Sequence, residues 1–203
     1  MKLPQIRKGE RGIAIGSSGS GKTELIIRVL PRSGDLLVLD PKRELDVPHL
    51  NLTVVSDPNK LKHHRRVLYQ PNEQYLNDLD AYDRVIKAFY LRGNCCIYVD
   101  DMVGIMERNK FPNYLRIAYM LGRAKGVTCI SSVQRPANVP GFILSESQHY
   151  FVFRLVMPQD HKKMRETLFD YDPDLINEYP FSFQYSDMRF SKKSELMKIA
   201  LKK

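Results

Sequence analysis

The chain has 203 residues, 43% hydrophobic and 27% charged, which is enough apolar content for a core and too much for an intrinsically disordered segment. Lys and Arg number 32 against 23 Asp and Glu, a formal charge of +9 that suits a polyanionic partner. Cys95, Cys96 and Cys129 have neither C-x-x-C nor His-pair spacing, which argues against a disulfide scaffold or a zinc site, and no apolar run approaches the roughly 18–20 residues of a membrane span. Residues 1–11 are charged and carry no apolar signal-peptide core, so the expectation is a soluble chain kept in a reducing cytoplasm, with no membrane span of its own.

In chain order, the first apolar run predicts a strand at 12–15, followed by a helix at 21–30 that Pro31 stops. Further strands are predicted at 35–39, 52–55 and 66–69. Residues 73–91 place Tyr75, Leu79, Tyr82, Ile86 and Phe89 at spacings of four, three, four and three, which is one apolar face of a helix. A strand at 95–99 follows, then a helix that begins at Pro112 and carries Leu115, Ala118 and Leu121 before Gly122. Strands at 127–132 and 150–155 and a helix at 159–168 come next. Several of these strand runs are continuously apolar, as strands buried on both faces of a parallel sheet are. The alternation of Phe181, Phe183 and Tyr185 within 181–190 predicts an antiparallel edge strand or hairpin, and 194–203 reads as a short basic helix or a frayed end. Alternating strands and helices make the class α/β, in one domain over 1–203.

Between the first strand and its helix, Gly16-Ser17-Ser18-Gly19-Ser20-Gly21-Lys22-Thr23 satisfies G-x-x-x-x-G-K-[ST]. The glycines let the backbone curl so that successive N–H groups face a polyphosphate, and the helix N-terminus adds its positive dipole end. Lys22 is placed to reach the β- and γ-phosphates of ATP, and the Thr23 hydroxyl to hold Mg²⁺. Cys95-Cys96-Ile97-Tyr98-Val99-Asp100-Asp101, a strand ending in two carboxylates, resembles a Walker B element. Asp100 would serve Mg²⁺ through its water shell, and Asp101 would polarise the attacking water. Gln134, at the tip of the strand at 127–133, carries an amide able to bond both a γ-phosphate and a lytic water.

Around these lie Gly122-Arg123-Ala124-Lys125, Gln134-Arg135-Pro136, Leu39-Asp40-Pro41-Lys42, Tyr69-Gln70-Pro71 and Phe151-Val152-Phe153-Arg154. Together with the two Walker elements they resemble the FtsK–HerA superfamily of DNA-pumping ATPases, and within it the genome-packaging ATPases of viruses with an internal membrane. The resemblance covers about 11–155, with 156–203 as an extension. It implies a RecA-like P-loop NTPase core with a mostly parallel central sheet. It also implies a homo-oligomeric ring, usually a hexamer, that hydrolyses ATP between subunits and threads double-stranded DNA. For this chain the implied role is a DNA translocase packaging a viral genome into a preformed capsid. It would work in the host cytoplasm or at a capsid vertex, docked to a vertex or membrane protein. The family's arginine finger maps onto Arg123, with Arg135 the alternative.

The family most often ends Walker B in Asp-Glu, whereas this chain has the shorter Asp101. It also lacks residues for HerA's N-terminal barrel or FtsK's membrane spans. Candidate DNA contacts are the cluster 60–66, Arg108 and Lys110, and Lys162, Lys163 and Arg165; His63 and His64 read as surface residues. Asp40 and Lys42 are expected near the nucleotide, as an ion pair with each other or in direct contact. Other readings are a different DNA-pumping or phage-assembly ATPase, a small P-loop nucleotide kinase, and a non-catalytic nucleic-acid-binding protein that uses the loop only to grip phosphate.

Overall fold

The computed structural model describes residues 3–107, 110–177, 180–190 and 194–199. Among the described residues there are nine strands: β1 (Arg11–Ile15), β2 (Asp35–Leu39), β3 (Thr53–Val55), β4 (Arg66–Tyr69), β5 (Cys95–Val99), β6 (Thr128–Val133), β7 (His149–Phe153), β8 (Ser182–Asp187) and β9 (Glu195–Lys198). They form one sheet in the order β3-β4-β2-β5-β6-β1-β7-β8-β9. Every pair through β7 is parallel, and β8 and β9 pair antiparallel at the edge, which is the predicted fold class.

The continuous apolar runs have the expected cause, because β1, β2, β5, β6 and β7 are buried along their whole length. One sheet face presents Ile13, Leu37, Val67, Ile97 and Val152 to α2 (Leu79–Arg92), α3 (Asn113–Leu121), α4 (Gly141–Glu146) and α5 (Pro158–Thr167). The other presents Ala14, Val38, Tyr98, Ile130 and Phe151 to Leu25 and Ile26 of α1 (Lys22–Val29) and to the loop residues Val47 and Leu50. The two cores are therefore covered unequally, with α1 alone among the described helices on the second face.

Four expectations are corrected. The helix expected over 73–91 starts at Leu79, because the Asp78 side chain accepts from the N–H groups of Asp80 and Ala81 and caps a new helix there. Tyr75 instead ends a separate 3-10 turn, Glu73–Tyr75. In α3, Leu121 is 61% exposed while Tyr119 is buried, so the buried face runs Leu115, Ala118, Tyr119. The expected helix or frayed end at 194–203 is β9 where it is described: Met197 lies opposite Phe183, and Met197 and Ile199 bury into the α1-side core. Residues 200–203 lie outside the described residues. Two short helices, α4 and α6 (Pro173–Asn177), were not anticipated.

At the end of the sheet away from the strand C-termini, Arg11 of β1 is buried with its guanidinium turned into the C-terminus of α3. It donates to the carbonyls of Tyr119, Ala118 and Gly9. A cation at a helix C-terminus meets the negative end of the dipole, so this buried charge is compensated without a carboxylate. Among the described residues no helix is long and apolar enough to cross a membrane.

Candidate active site

The loop 16–21 leaves β1 between its two neighbours and is held by both: Gly16 N–H donates to Val133 O of β6 (3.1 Å), and Ser17 N–H to Arg154 O just past β7 (2.9 Å). At Gly16 a Cβ would lie 2.6 Å from that of Phe153, so no side chain fits. Gly19 (φ 72°) and Gly21 (φ 102°) take left-handed backbone, and nothing lies within 4 Å of a Cβ placed on Gly19. The Lys22 Nζ curls back to Ser17 O at 2.8 Å. Burial lowers its pKa to about 8, with Asp100 and Asp101 opposing the shift.

Asp100, buried at the C-terminal end of β5, receives three hydroxyls on a single oxygen, Oδ1. These are Thr23 Oγ1 (3.1 Å), Ser132 Oγ (3.0 Å) and the Tyr98 hydroxyl. Burial, and then the Asp100 charge, raises the Tyr98 pKa well above its ordinary value, so this phenol stays a donor. Asp101 follows in left-handed backbone (φ 55°), with its N–H held by Ser132 Oγ at 2.9 Å. Its Oδ2 accepts from Gln134 Nε2 (3.1 Å) and from Lys42 Nζ (2.5 Å), while Oδ1 is buried without a partner. The hydrogen bond to Asp101 raises the Lys42 pKa.

Lys22, Thr23, Asp100, Asp101 and Gln134, picked out in the sequence from three separate segments, thus line one cleft of about 360 Å³ together with Lys42 and Ser132. The expected Asp40–Lys42 pair is absent. Asp40 Oδ2 instead accepts from Leu45 N–H (2.8 Å) and Gln70 Nε2 (2.9 Å), which closes the loop after β2 and leaves Lys42 to reach Asp101. Ser132, Tyr98 and the Lys42–Asp101 contact were missed. For Tyr98 a signal existed, since residues i and i+2 of a strand share a face with Asp100.

The two arginines fall elsewhere. Arg123 is exposed in the turn Gly122–Lys125 that precedes β6. Ile15 lies beside Val133 and Arg11 beside Cys129 in parallel register, so most of the length of β6, on the order of 20 Å, separates Arg123 from the cleft of its own chain. It shares a basic concavity of about 510 Å³ with Lys8, Arg92 and Lys125. Arg135 is tied to α5, with Nε donating to the buried Asp160 Oδ2 at 2.5 Å. Of the candidate DNA contacts, Arg65 pairs with Asp35 and Arg66 bonds the carbonyls of Leu50, Gly34 and Pro31, whereas Lys162 and Arg165 are exposed on α5. Arg108 lies outside the described residues.

No protein-family model matches the chain, and no curated protein sequence does so. Solved structures do resemble it. The genome packaging NTPase B204 from Sulfolobus turreted icosahedral virus 2, in complex with AMPPCP, matches with a TM-score of 0.76 at 16% identity, over 95% of this chain and 99% of that one. The pCW3 conjugation coupling protein TcpA, with ATPgS, matches at 0.67 and 14% identity over 94% of this chain and 60% of its own. The cytoplasmic domain of the Thermomonospora curvata type VII secretion ATPase EccC matches at 0.64 and 12% identity, over 96% and 24%. At such identities the likeness establishes a common fold.

Proposed function

We propose that the chain is an ATP-hydrolysing P-loop enzyme of the FtsK–HerA type, and that it moves double-stranded DNA to package a viral genome. The observation that carries the hydrolytic reading is the meeting of Asp101 and Gln134, from adjacent strands, in the same cleft as Lys22, Thr23 and Asp100. The packaging reading draws its support from the match to B204, which spans nearly the whole of both chains, whereas the coupling and secretion proteins are matched over only part of their length.

A polyphosphate fits the loop, whose left-handed glycines turn backbone N–H groups outward and whose Ser20 hydroxyl is buried without a partner. Mg²⁺ fits a hard-oxygen donor pair, the Thr23 hydroxyl and the Asp100 carboxylate, 3.1 Å apart. The ion, when bound, neutralises charge on the β- and γ-phosphates. Lys22 contributes the fixed cation of the loop. Asp101 takes the proton of the attacking water at its carboxylate, which lines the cleft beside Gln134. Gln134, already bonded to Oδ2, orients that water with its remaining amide groups. Arg123 faces away from its own cleft, so its place in this scheme is on the nucleotide of the next subunit of a homo-oligomeric ring, a hexamer by resemblance.

Displacement of a third strand from a triplex on linear double-stranded DNA tests the motor directly. Displacement is expected with ATP and absent with Lys22→Ala or a non-hydrolysable analogue. ATP hydrolysis without displacement on any double-stranded DNA would remove the translocase and leave the ATPase.

A further inference from the structure

The hydrolytic end of the site is built from β5 and β6, which lie on one side of β1, and β7 and β8 lie on the other. A triphosphate whose γ end faces Asp101 and Gln134 must therefore send its nucleoside towards β7 and β8. A second cleft, of about 330 Å³, opens there along the same loop, lined by Ser17, Ser20, Arg154, Ile176, Phe181 and Ser182. This volume is of the size that holds small organic ligands.

Phe181 belongs to both clefts. It is 36% exposed although the other aromatic residues of this corner, Phe153 and Phe183, are fully buried. Its ring sits against the loop, with Cδ1 3.4 Å from a Cβ placed on Gly21. Its backbone is left-handed (φ 56°), a conformation that bulky residues rarely adopt, and its carbonyl is pinned by Ile199 N–H at 3.1 Å. The β8–β9 edge therefore holds an aromatic ring in a costly position at the junction of the two clefts. The Arg154 side chain is exposed at the same lip and makes no hydrogen bond or ion pair among the described residues.

We propose that Phe181 is the stacking platform for the nucleobase, with Arg154 as the cationic wall beside it. The inference rests on the nucleotide-site reading above. A ring face reads aromatic area rather than a base's hydrogen-bonding edge, so purine nucleotides bind more tightly than pyrimidine nucleotides.

Titration calorimetry of the purified protein with MgATP and with Mg-tripolyphosphate, which has no base, tests it. Phe181→Leu, which keeps an apolar side chain against Gly21, is expected to weaken MgATP about tenfold or more and to leave tripolyphosphate unchanged, and Phe181→Tyr to bind both as the parent does. Unchanged MgATP affinity in Phe181→Leu, or an equal loss for both ligands, would overturn the platform. Failure of the unsubstituted protein to bind either ligand would overturn the nucleotide-site reading along with it.

Discussion

Two adjacent carboxylates in this chain are given different jobs by what surrounds them. Asp100 collects three hydroxyls on one oxygen, a setting that fixes its orientation, whereas Asp101 has one oxygen shared by Gln134 and Lys42 and one left over. On the proposed reading, Asp101→Asn keeps the shape and removes the base. Its kcat should fall about 10²–10⁴-fold with the MgATP dissociation constant within a few-fold of the parent; hydrolysis at the parent rate would deny Asp101 the role. Lys22, Thr23, Asp100, Asp101 and Gln134 were legible because each sits at a fixed offset within a local pattern. Ser132 was not, and of Lys42 only its nearness to the nucleotide was legible, not its contact with Asp101. Their contacts exist because β6 and β2 both flank β5, and strand order is absent from the linear sequence. The short carboxylate of Asp101 is served by Lys42, which reaches across from the loop after β2.

At the scale of elements, the central strands were legible because both of their faces are buried, and α1 and α3 because a proline closes one and opens the other. The apolar period alone carried the helix at 73–91 too far towards the N-terminus, since Tyr75 fell in phase with a helix that Asp78 restarts. α4 and α6 have five or six residues, too few to show a period, although Asp172 accepting from the N–H groups of Asp174 and Leu175, followed by Pro173, is a readable start. β9 was misjudged because its strand character comes from pairing with β8 rather than from its own composition. One junction between elements carries a stability prediction. Arg11→Met would take the charged donor from the carbonyls of Tyr119 and Gly9, while Ala118 O keeps the Gly122 N–H, at a cost of about 3 kcal/mol. For a chain of this length that lowers the melting temperature by about 6–12 °C in a thermal scan, and a melting temperature within a degree or two of the parent would show that those carbonyls find other partners.

For the whole molecule, the sheet separates two ends: the cleft lies at the C-terminal ends of the strands, and Lys8, Arg92, Arg123 and Lys125 crowd the other end. In the proposed ring the Arg123 end of one subunit would meet the cleft of the next. Mixing then has a definite consequence. Lys22→Ala and Arg123→Ala are each expected to be inactive alone, and their mixture to regain part of the ATPase activity, because some interfaces then pair an intact loop with an intact arginine. A mixture no more active than its components would deny Arg123 a role on the neighbouring subunit's nucleotide. The measurement that reaches the central claim most directly is phosphate release from MgATP by the purified protein, with and without linear double-stranded DNA and with Lys22→Ala as the blank. Release that is lost in Lys22→Ala and rises with DNA is the predicted result. Release equal to that blank under both conditions would contradict it.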